Sequence, residues 1–179
     1  MASELGVQTI QHTNGTDALT IGSDGVVTAS QYIKEPAKPM LFIQNGATSQ
    51  TVTSSPTTID FDTPQLDTVS GWNASTNEWT PGVAGYYQVD LIVRFSISGT
   101  THYIAAYAVV GGSNYQRVQY QLSSSLIVNS EMPFGFGLVY IGASDTLKVN
   151  MQSGSTITVG DQSSGGLVTK LNAYLVHQA

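Results

Sequence analysis

The stretch from Tyr87 to Ile97 alternates between large apolar side chains and a second set that includes Gln88, Asp90, Arg94 and Ser96. Side chains of a β-strand point alternately to the two faces of its sheet, so this period of two predicts a long strand with one buried face. The same alternation recurs at 118–122, 147–151 and 171–175, between Gly-, Ser- and Asn-rich breaks. Many short strands without a helical pattern predict an all-β sandwich or barrel.

The composition limits the classes of function. Charged residues make up 10% of the 179-residue chain, against roughly 25% in an ordinary soluble domain. The net charge is −6, and the six basic residues are scattered along the sequence. No basic stripe is available to neutralise a phosphate backbone, so we expect no nucleic-acid partner. The absence of cysteine excludes disulfides and thiol catalysis.

Membrane insertion and export are also not expected. The first residues, Met1 to Gly6, lack the basic and apolar regions of a signal peptide. No apolar run approaches the roughly 20 residues that cross a bilayer. We therefore expect a protein that is made in the cytoplasm and does not leave by the ordinary export route.

The chain divides into two regions of different texture. Residues 1–39 contain short groups of apolar residues, separated by the turn-forming pairs Asn14-Gly15 and Asp24-Gly25. This pattern predicts small β-hairpins with too few apolar residues to stand alone. Residues 34–39 contain two prolines and are interpreted as a linker, because X-Pro pairs interrupt hydrogen-bonded ladders. Residues 40–179 carry the repeated strand pattern and form the main domain.

Two stretches of the main domain, 103–110 and 134–141, are apolar on both faces. A strand buried on both faces, in a domain of this size, lies at the centre of a sheet or against another subunit. We therefore predict a subunit interface that includes Tyr103, Tyr107, Phe134, Phe136 and Tyr140.

The sequence offers no convincing catalytic, cofactor or metal site. His12, His102 and His177 lack metal-ligand spacing, and no nucleophile-elbow pattern is present, so we expect no enzymatic activity. Asp60 and Asp62 form a carboxylate pair that would suit calcium, although a solvated strand end is the preferred interpretation. Trp72 and Trp79 would stack on sugars if they were exposed, but packing at the edge of the sandwich is preferred.

The segment from Gly71 to Tyr87 carries a family resemblance. Its Trp72-Asn73, Trp79-Thr80-Pro81 and Gly85-Tyr86-Tyr87 are similar to the signature of C1q/TNF-like domains. Two further stretches, 138–149 and 171–176, resemble later strands of that family. The resemblance covers residues 40–179 and implies a jelly-roll β-sandwich assembled as a tight trimer. The calcium-binding acidic residues of the family have no secure counterpart at Asp60, Asp62 or Asp67.

Residues 1–39 are similar to the N-terminal segments of bacteriophage virion proteins, in the short strands around 17–28. The combined prediction is a homotrimeric, non-enzymatic capsid decoration (cement) protein of a phage virion, without a cofactor. It would clamp neighbouring subunits of the major capsid protein or another virion protein, through the apolar residues of its N-terminal strands: Leu5, Val7, Ile10, Leu19 and Ile21. The alternative is a short tail or head fibre whose knob contacts a host surface glycan or receptor. Decoration is preferred because the chain lacks a long repeat or coiled-coil shaft.

Overall fold

The computed structural model describes residues 9–11, 17–29, 38–45, 49–97, 103–121, 130–160 and 169–179. These residues form sixteen β-strands and no helix, which confirms the predicted all-β class. The chain divides into two compact units, Met1–Pro36 and Ala37–Ala179.

The N-terminal unit contains a three-stranded antiparallel sheet in the order β1-β2-β3. Its strands are β1 (Thr9–Gln11), β2 (Asp17–Ile21) and β3 (Val27–Ala29). Between β2 and β3, the amide of Gly22 donates to the carbonyl of Val26 at 2.7 Å, and the amide of Val26 donates to Asp24 Oδ1 at 3.0 Å. Gly25 has a φ of 79°, which glycine adopts without a steric penalty. The turn predicted at Asp24-Gly25 is confirmed, whereas the one at Asn14-Gly15 lies outside the described residues.

The described residues of the C-terminal unit form thirteen strands in two sheets. The strands are β4 (Met40–Gln44), β5 (Gln50–Val52), β6 (Thr57–Thr58), β7 (Thr63–Asp67), β8 (Trp72–Asn73), β9 (Glu78–Trp79), β10 (Gly85–Ile97), β11 (Tyr103–Val110), β12 (Ser113–Gln121), β13 (Ser130–Ile141), β14 (Leu147–Ser153), β15 (Ile157–Val159) and β16 (Lys170–Gln178). Sheet I has the order β5-β15-β10-β16-β4-β7, and β13 also pairs with β10. Sheet II has the order β12-β11-β14-β9-β8, and β6 also pairs with β14. Neighbours in both sheets are mostly distant in sequence, as in a sandwich built from crossovers.

The core lies between the two sheets. Sheet I contributes the predicted inward residues of β10, and Tyr87, Val89, Leu91, Val93 and Phe95 are each 0% exposed. Sheet II contributes alternate residues of β11 and β14 to the same cluster. The alternation identified between Tyr87 and Phe95 therefore predicted the buried face of the central strand correctly.

The start of the C-terminal unit is fixed by hydrogen bonds to the backbone of residues 38 and 39. The hydroxyl of Thr68 donates to the carbonyl of Lys38 at 2.9 Å, and the amide of Leu175 donates to the carbonyl of Pro39 at 3.0 Å. Pro39 is buried. The backbone of residues 38 and 39, at the end of the stretch interpreted as a linker, is therefore hydrogen-bonded to the sandwich.

A β-bulge explains why both the even-numbered and the odd-numbered positions of 134–141 hold large apolar residues. Val89 of β10 pairs with Gly137 of β13, and Asp90 pairs with Gly135, so Phe136 is an extra residue in the strand. Gly137 has a φ of 69°, and such a conformation inside a strand marks a bulge. The bulge shifts the alternation by one residue. Phe134 and the bulged Phe136 therefore point inward, and so do Val139 and Ile141 after the bulge.

Candidate interaction surface

The outward side of sheet I is rich in exposed apolar side chains. Among the described residues of the C-terminal unit, six of the nine large apolar side chains that are exposed lie on this side, each between 38% and 55% exposed. They are Met40, Leu66, Tyr86, Leu138, Tyr140 and Tyr174. We call this surface the apolar face.

The apolar face extends across neighbouring strands of the sheet. Tyr86 of β10 lies opposite Tyr140 of β13, and their rings meet edge to face with centroids 5.4 Å apart. In the next row Leu138, Gln88, Tyr174 and Met40 follow one another through β13, β10, β16 and β4. Contiguous exposed apolar surface of this kind marks an interaction site more often than scattered single residues do.

A small polar group lies within the apolar face. The side-chain amide of Gln88 donates to Asp90 Oδ1 at 2.9 Å. Asp90 pairs with Gly135 of β13 on one side and with Asn172 of β16 on the other. A carboxylate beside a glycine is thus presented near the middle of a largely aromatic surface.

Arg94 lies further along β10 on the same side as Asp90, where the sequence predicted a polar, outward position. The structure buries it completely, at 0% exposure, and pairs it in register with Glu131 of β13. The backbone around it is fixed as well, because its amide donates to Thr169 Oγ1 at 3.1 Å and its carbonyl accepts from the amide of Gly160 at 3.1 Å. A buried arginine is not visible in an alternation pattern, which treats every charged residue as exposed.

The outward side of sheet II is polar, and we call it the polar face. Ala105, Tyr107 and Val109 form a small second cluster there. Tyr107 lies between Arg117 of β12 and Asn150 of β14. The guanidinium of Arg117 is 5.5 Å from the Tyr107 ring centroid and also donates to Gln119. Long polar side chains of the same subunit therefore cover the second apolar side of β11.

The structure distributes the five residues predicted for a subunit interface over both sheets. Phe134 and Phe136 are 0% exposed in the core of the chain, so they present no surface to a second subunit. Tyr103 and Tyr107 lie on the outward side of sheet II, against the second cluster. Only Tyr140 lies on the apolar face. The five residues are therefore not brought together, since 103–110 and 134–141 belong to different sheets and both obtain their second apolar layer within one chain.

The predicted attachment residues are only partly described. Leu5 and Val7 lie outside the described residues. Ile10 in β1 pairs with Leu19 in β2. Ile21 is 38% exposed and pairs with Val27, which is 58% exposed. All residues from Ile21 to Thr28 are exposed in the single chain.

The tryptophans of the motif pack as predicted. Trp79 is fully buried, so it cannot stack on a sugar, and its ring meets that of Tyr87 edge to face at 5.7 Å. Trp72 pairs with Trp79 across β8 and β9 and packs edge to face on Phe61 at 6.2 Å. Both residues are anchored by Asp67, whose carboxylate accepts from the Trp72 amide at 2.8 Å and from Trp79 Nε1 at 3.2 Å.

The acidic pair and the histidines do not form a metal site in the described part of the chain. Asp60 Oδ1 accepts a hydrogen bond from the side-chain amide of Asn77 at 2.9 Å, and Asp60 and Asp62 are both exposed. No group of three or more His, Asp or Glu side chains is placed for a metal among the described residues. His177 is exposed, and His12 and His102 lie outside those residues. The described residues also hold no helix that could span a membrane.

Two solved structures share the two-sheet arrangement. The globular domain of zebrafish complement 1qA matches with a TM-score of 0.54 and 17% sequence identity, over 80% of this chain and 100% of that one. Eiger TNF from S. frugiperda matches with a TM-score of 0.58 and 12% identity, over 79% of this chain and 94% of that one. No protein-family model and no curated protein matches the sequence. The chain therefore has the jelly-roll fold of C1q and TNF globular domains, as the motif around Trp72 and Tyr87 implied.

Proposed function

We propose that this protein is a non-enzymatic structural protein that forms a homotrimer through the apolar face and decorates a bacteriophage capsid. The observation that carries the self-association is the separation of the two outward surfaces. One sheet presents Tyr86, Leu138, Tyr140 and Tyr174 to its surroundings, while the other presents mainly amides and charges apart from Tyr115. Aromatic residues are enriched at the centre of protein interfaces, and three exposed tyrosines lie on the apolar face.

The partner that best fits the apolar face is another copy of this chain. Burying the face removes large aromatic side chains from water, which stabilises an assembly roughly in proportion to the apolar area covered. In a closed ring of three copies, one part of each copy's surface meets a different part of the next copy, and the apolar face extends over β13, β10, β16, β4 and β7. The polar face would then lie on the outside.

The virion location rests on the N-terminal unit. Residues 1–39 resemble the N-terminal segments of phage virion proteins, and the exposed pair Ile21 and Val27 lies on a sheet too small for its own core. Binding to the capsid would cover these side chains. In this proposal the N-terminal strands hold the particle and the jelly roll holds the three copies together.

Mass measurement tests the self-association. Light scattering of the purified protein should give three times 19.0 kDa, and Leu138→Asp should dissociate the trimer by placing a charge on the apolar face. Gln121→Asp serves as the matched control, because Gln121 is exposed on β12 of sheet II. This variant should leave the trimer intact. A wild-type monomer at all concentrations would contradict the proposal.

A second candidate function is receptor binding by a short tail or head fibre. It is favoured by the edge strand β12, where Tyr115 is 50% exposed at a bulge and lies near Arg117. Tyrosine and arginine are the residue types that contribute most binding energy in interfaces. Electron microscopy of labelled particles separates the two candidates: density on the head lattice supports decoration, and density at the tail supports a fibre.

A further inference from the structure

The strand glycines of the C-terminal unit separate into two kinds. Gly137 has a positive φ and is required by the bulge. Gly85 has no room for a side chain, because an added Cβ would collide with the carbonyl oxygen of His177 and the side chain of Leu175. Both glycines are therefore explained by the fold of a single chain.

Gly135 has no such explanation. Its φ lies outside the left-handed region, and an added Cβ would meet only Asp90 Oδ1, at 3.6 Å, which is an ordinary van der Waals contact. Glycine inside a strand weakens the strand, and it often marks a place where a ligand or another backbone approaches closely. Gly135 is exposed on the apolar face, so the close approach would come from outside the subunit.

Asp90 supplies the chemistry beside this glycine. Its Oδ1 accepts from Gln88, while its Oδ2 has no hydrogen-bond partner in the described part of the chain. Covering the face would remove this oxygen from water, and a buried carboxylate oxygen needs a donor. The occupant must therefore combine an apolar body with a hydrogen-bond donor, as a tyrosine does.

We propose that the space left by the missing side chain of Gly135, which we call the hollow, receives the Tyr174 ring of a neighbouring copy of this chain, whose hydroxyl donates to Asp90 Oδ2. This proposal rests on the self-association described above and names a contact within it. Tyr86 and Tyr140 already pack against each other, so Tyr174, which is 43% exposed, is the aromatic ring of the face that we assign to the hollow. A closed ring of copies repeats the contact at every interface.

Filling the hollow is the first test. Gly135→Ala and Gly135→Val add one and three carbon atoms where the ring should lie, and the dissociation constant of the trimer should rise by about tenfold and by more than about a hundredfold, respectively. Ser113→Thr is the matched control, because it adds one carbon at an exposed strand position of sheet II. The control should associate as the wild type does. Circular dichroism should show that the Gly135→Ala fold is retained, since the single chain has room for the Cβ.

A double-mutant cycle tests the named pair. Asp90→Ala and Tyr174→Phe should each weaken association by about tenfold, the usual effect of losing a hydrogen bond to a charged group. The dissociation constant of the double variant should not exceed the larger of the two single-variant values, because both substitutions remove the same bond. This measurement also decides the proposal if Gly135→Val does not fold.

The outcomes distinguish the contact from the assembly. If the wild type associates, Leu138→Asp dissociates it, and Gly135→Ala and Gly135→Val associate like the wild type, the hollow is not occupied and this inference is wrong while the face stands. Additive effects of Asp90→Ala and Tyr174→Phe would overturn the named pair. If the wild type does not self-associate, both the contact and the proposed trimer are wrong.

Discussion

Asp67 accepts a hydrogen bond from the buried indole of Trp79, with Nε1 and Oδ1 3.2 Å apart. The same carboxylate accepts from the backbone amides of Val69 and Trp72. One side chain thus holds together the end of β7, the strand pair β8–β9 and the largest ring of the core.

Replacement of Asp67 should therefore destabilise the fold. Asp67→Ala leaves the Trp79 indole and two amides without their acceptor, and each unsatisfied buried donor costs roughly 1–3 kcal/mol. Asp67→Asn retains a carbonyl oxygen and should lose less of the free energy of unfolding. Denaturant unfolding at a fixed protein concentration measures both variants. If Asp67→Ala and Asp67→Asn lose the same free energy of unfolding, the hydrogen bonds of Asp67 do not account for the stabilisation.

The central strand allows a test of its two sides. Phe95→Ala removes a ring that is 0% exposed and should lower the free energy of unfolding by about 3–5 kcal/mol. Ser96→Ala, at the next position and on the opposite side of β10, should change it by less than about 0.5 kcal/mol. Thermal or denaturant unfolding provides the comparison. Similar losses at both positions would contradict the assignment of the faces.

Alkaline pH should weaken the fold through Tyr87. Burial raises the pKa of Tyr87 from 10.0 to about 12, and its hydroxyl donates to the Val83 carbonyl at 2.6 Å. The folded state keeps this proton to higher pH than the unfolded chain does. The stabilisation is therefore complete below pH 10 and is lost as the pH rises towards 12.

The measurement is the melting temperature as a function of pH. Tyr87→Phe should be less stable near neutral pH, because the bond to Val83 is lost, but its melting temperature should fall less steeply between pH 10 and 12. Ser96→Ala, which removes no titratable group and lies on the opposite side of β10, serves as the control with the wild-type slope. A Tyr87→Phe slope equal to that of the wild type would exclude this group as the cause.

Two truncations should separate the N-terminal unit from the sandwich. A chain that starts at Ala37 keeps the hydrogen bonds of Lys38 and Pro39. Its free energy of unfolding should equal that of the C-terminal unit in the full-length protein. A chain that starts at Met40 loses both carbonyl acceptors and should be less stable by roughly 1–3 kcal/mol. Calorimetry of the two chains tests the boundary. Identical stabilities would show that residues 38 and 39 are dispensable.

The chain that starts at Ala37 also tests attachment. In the proposed function it should form a trimer yet stay in the supernatant when particles that lack the protein are pelleted, whereas the full-length protein co-sediments. Co-sedimentation of the truncated chain would make the jelly roll itself the attachment surface.

The sequence predicted most reliably what depends on local alternation. The inward face of β10 and the packing of Trp79 follow from a period of two and from aromatic residues at fixed spacing. The sequence grouped residues of 103–110 and 134–141 that the structure places in different sheets, because the alternation alone does not reveal the bulge at Phe136, although Gly137 is a signal for it. The second apolar side of β11 is covered by Arg117 and Gln119, which a simple polar–apolar pattern treats as solvated. Arg94 is buried at a point where residues distant in sequence, Thr169 and Gly160, bond to its backbone, and no local pattern encodes such contacts.

The bulge in β13 has a consequence for any comparison of this chain with another jelly roll. Phe136 has no partner residue in β10, so β13 is one residue longer than the stretch of β10 that it pairs with. An alignment that omits this insertion displaces every later residue of the strand by one. Val139 and Ile141 would then be assigned to the surface, and Leu138 and Tyr140 to the interior. Where the other strand has no bulge, the alignment therefore needs a one-residue gap opposite Phe136, so that the surface residues of one protein are compared with those of the other.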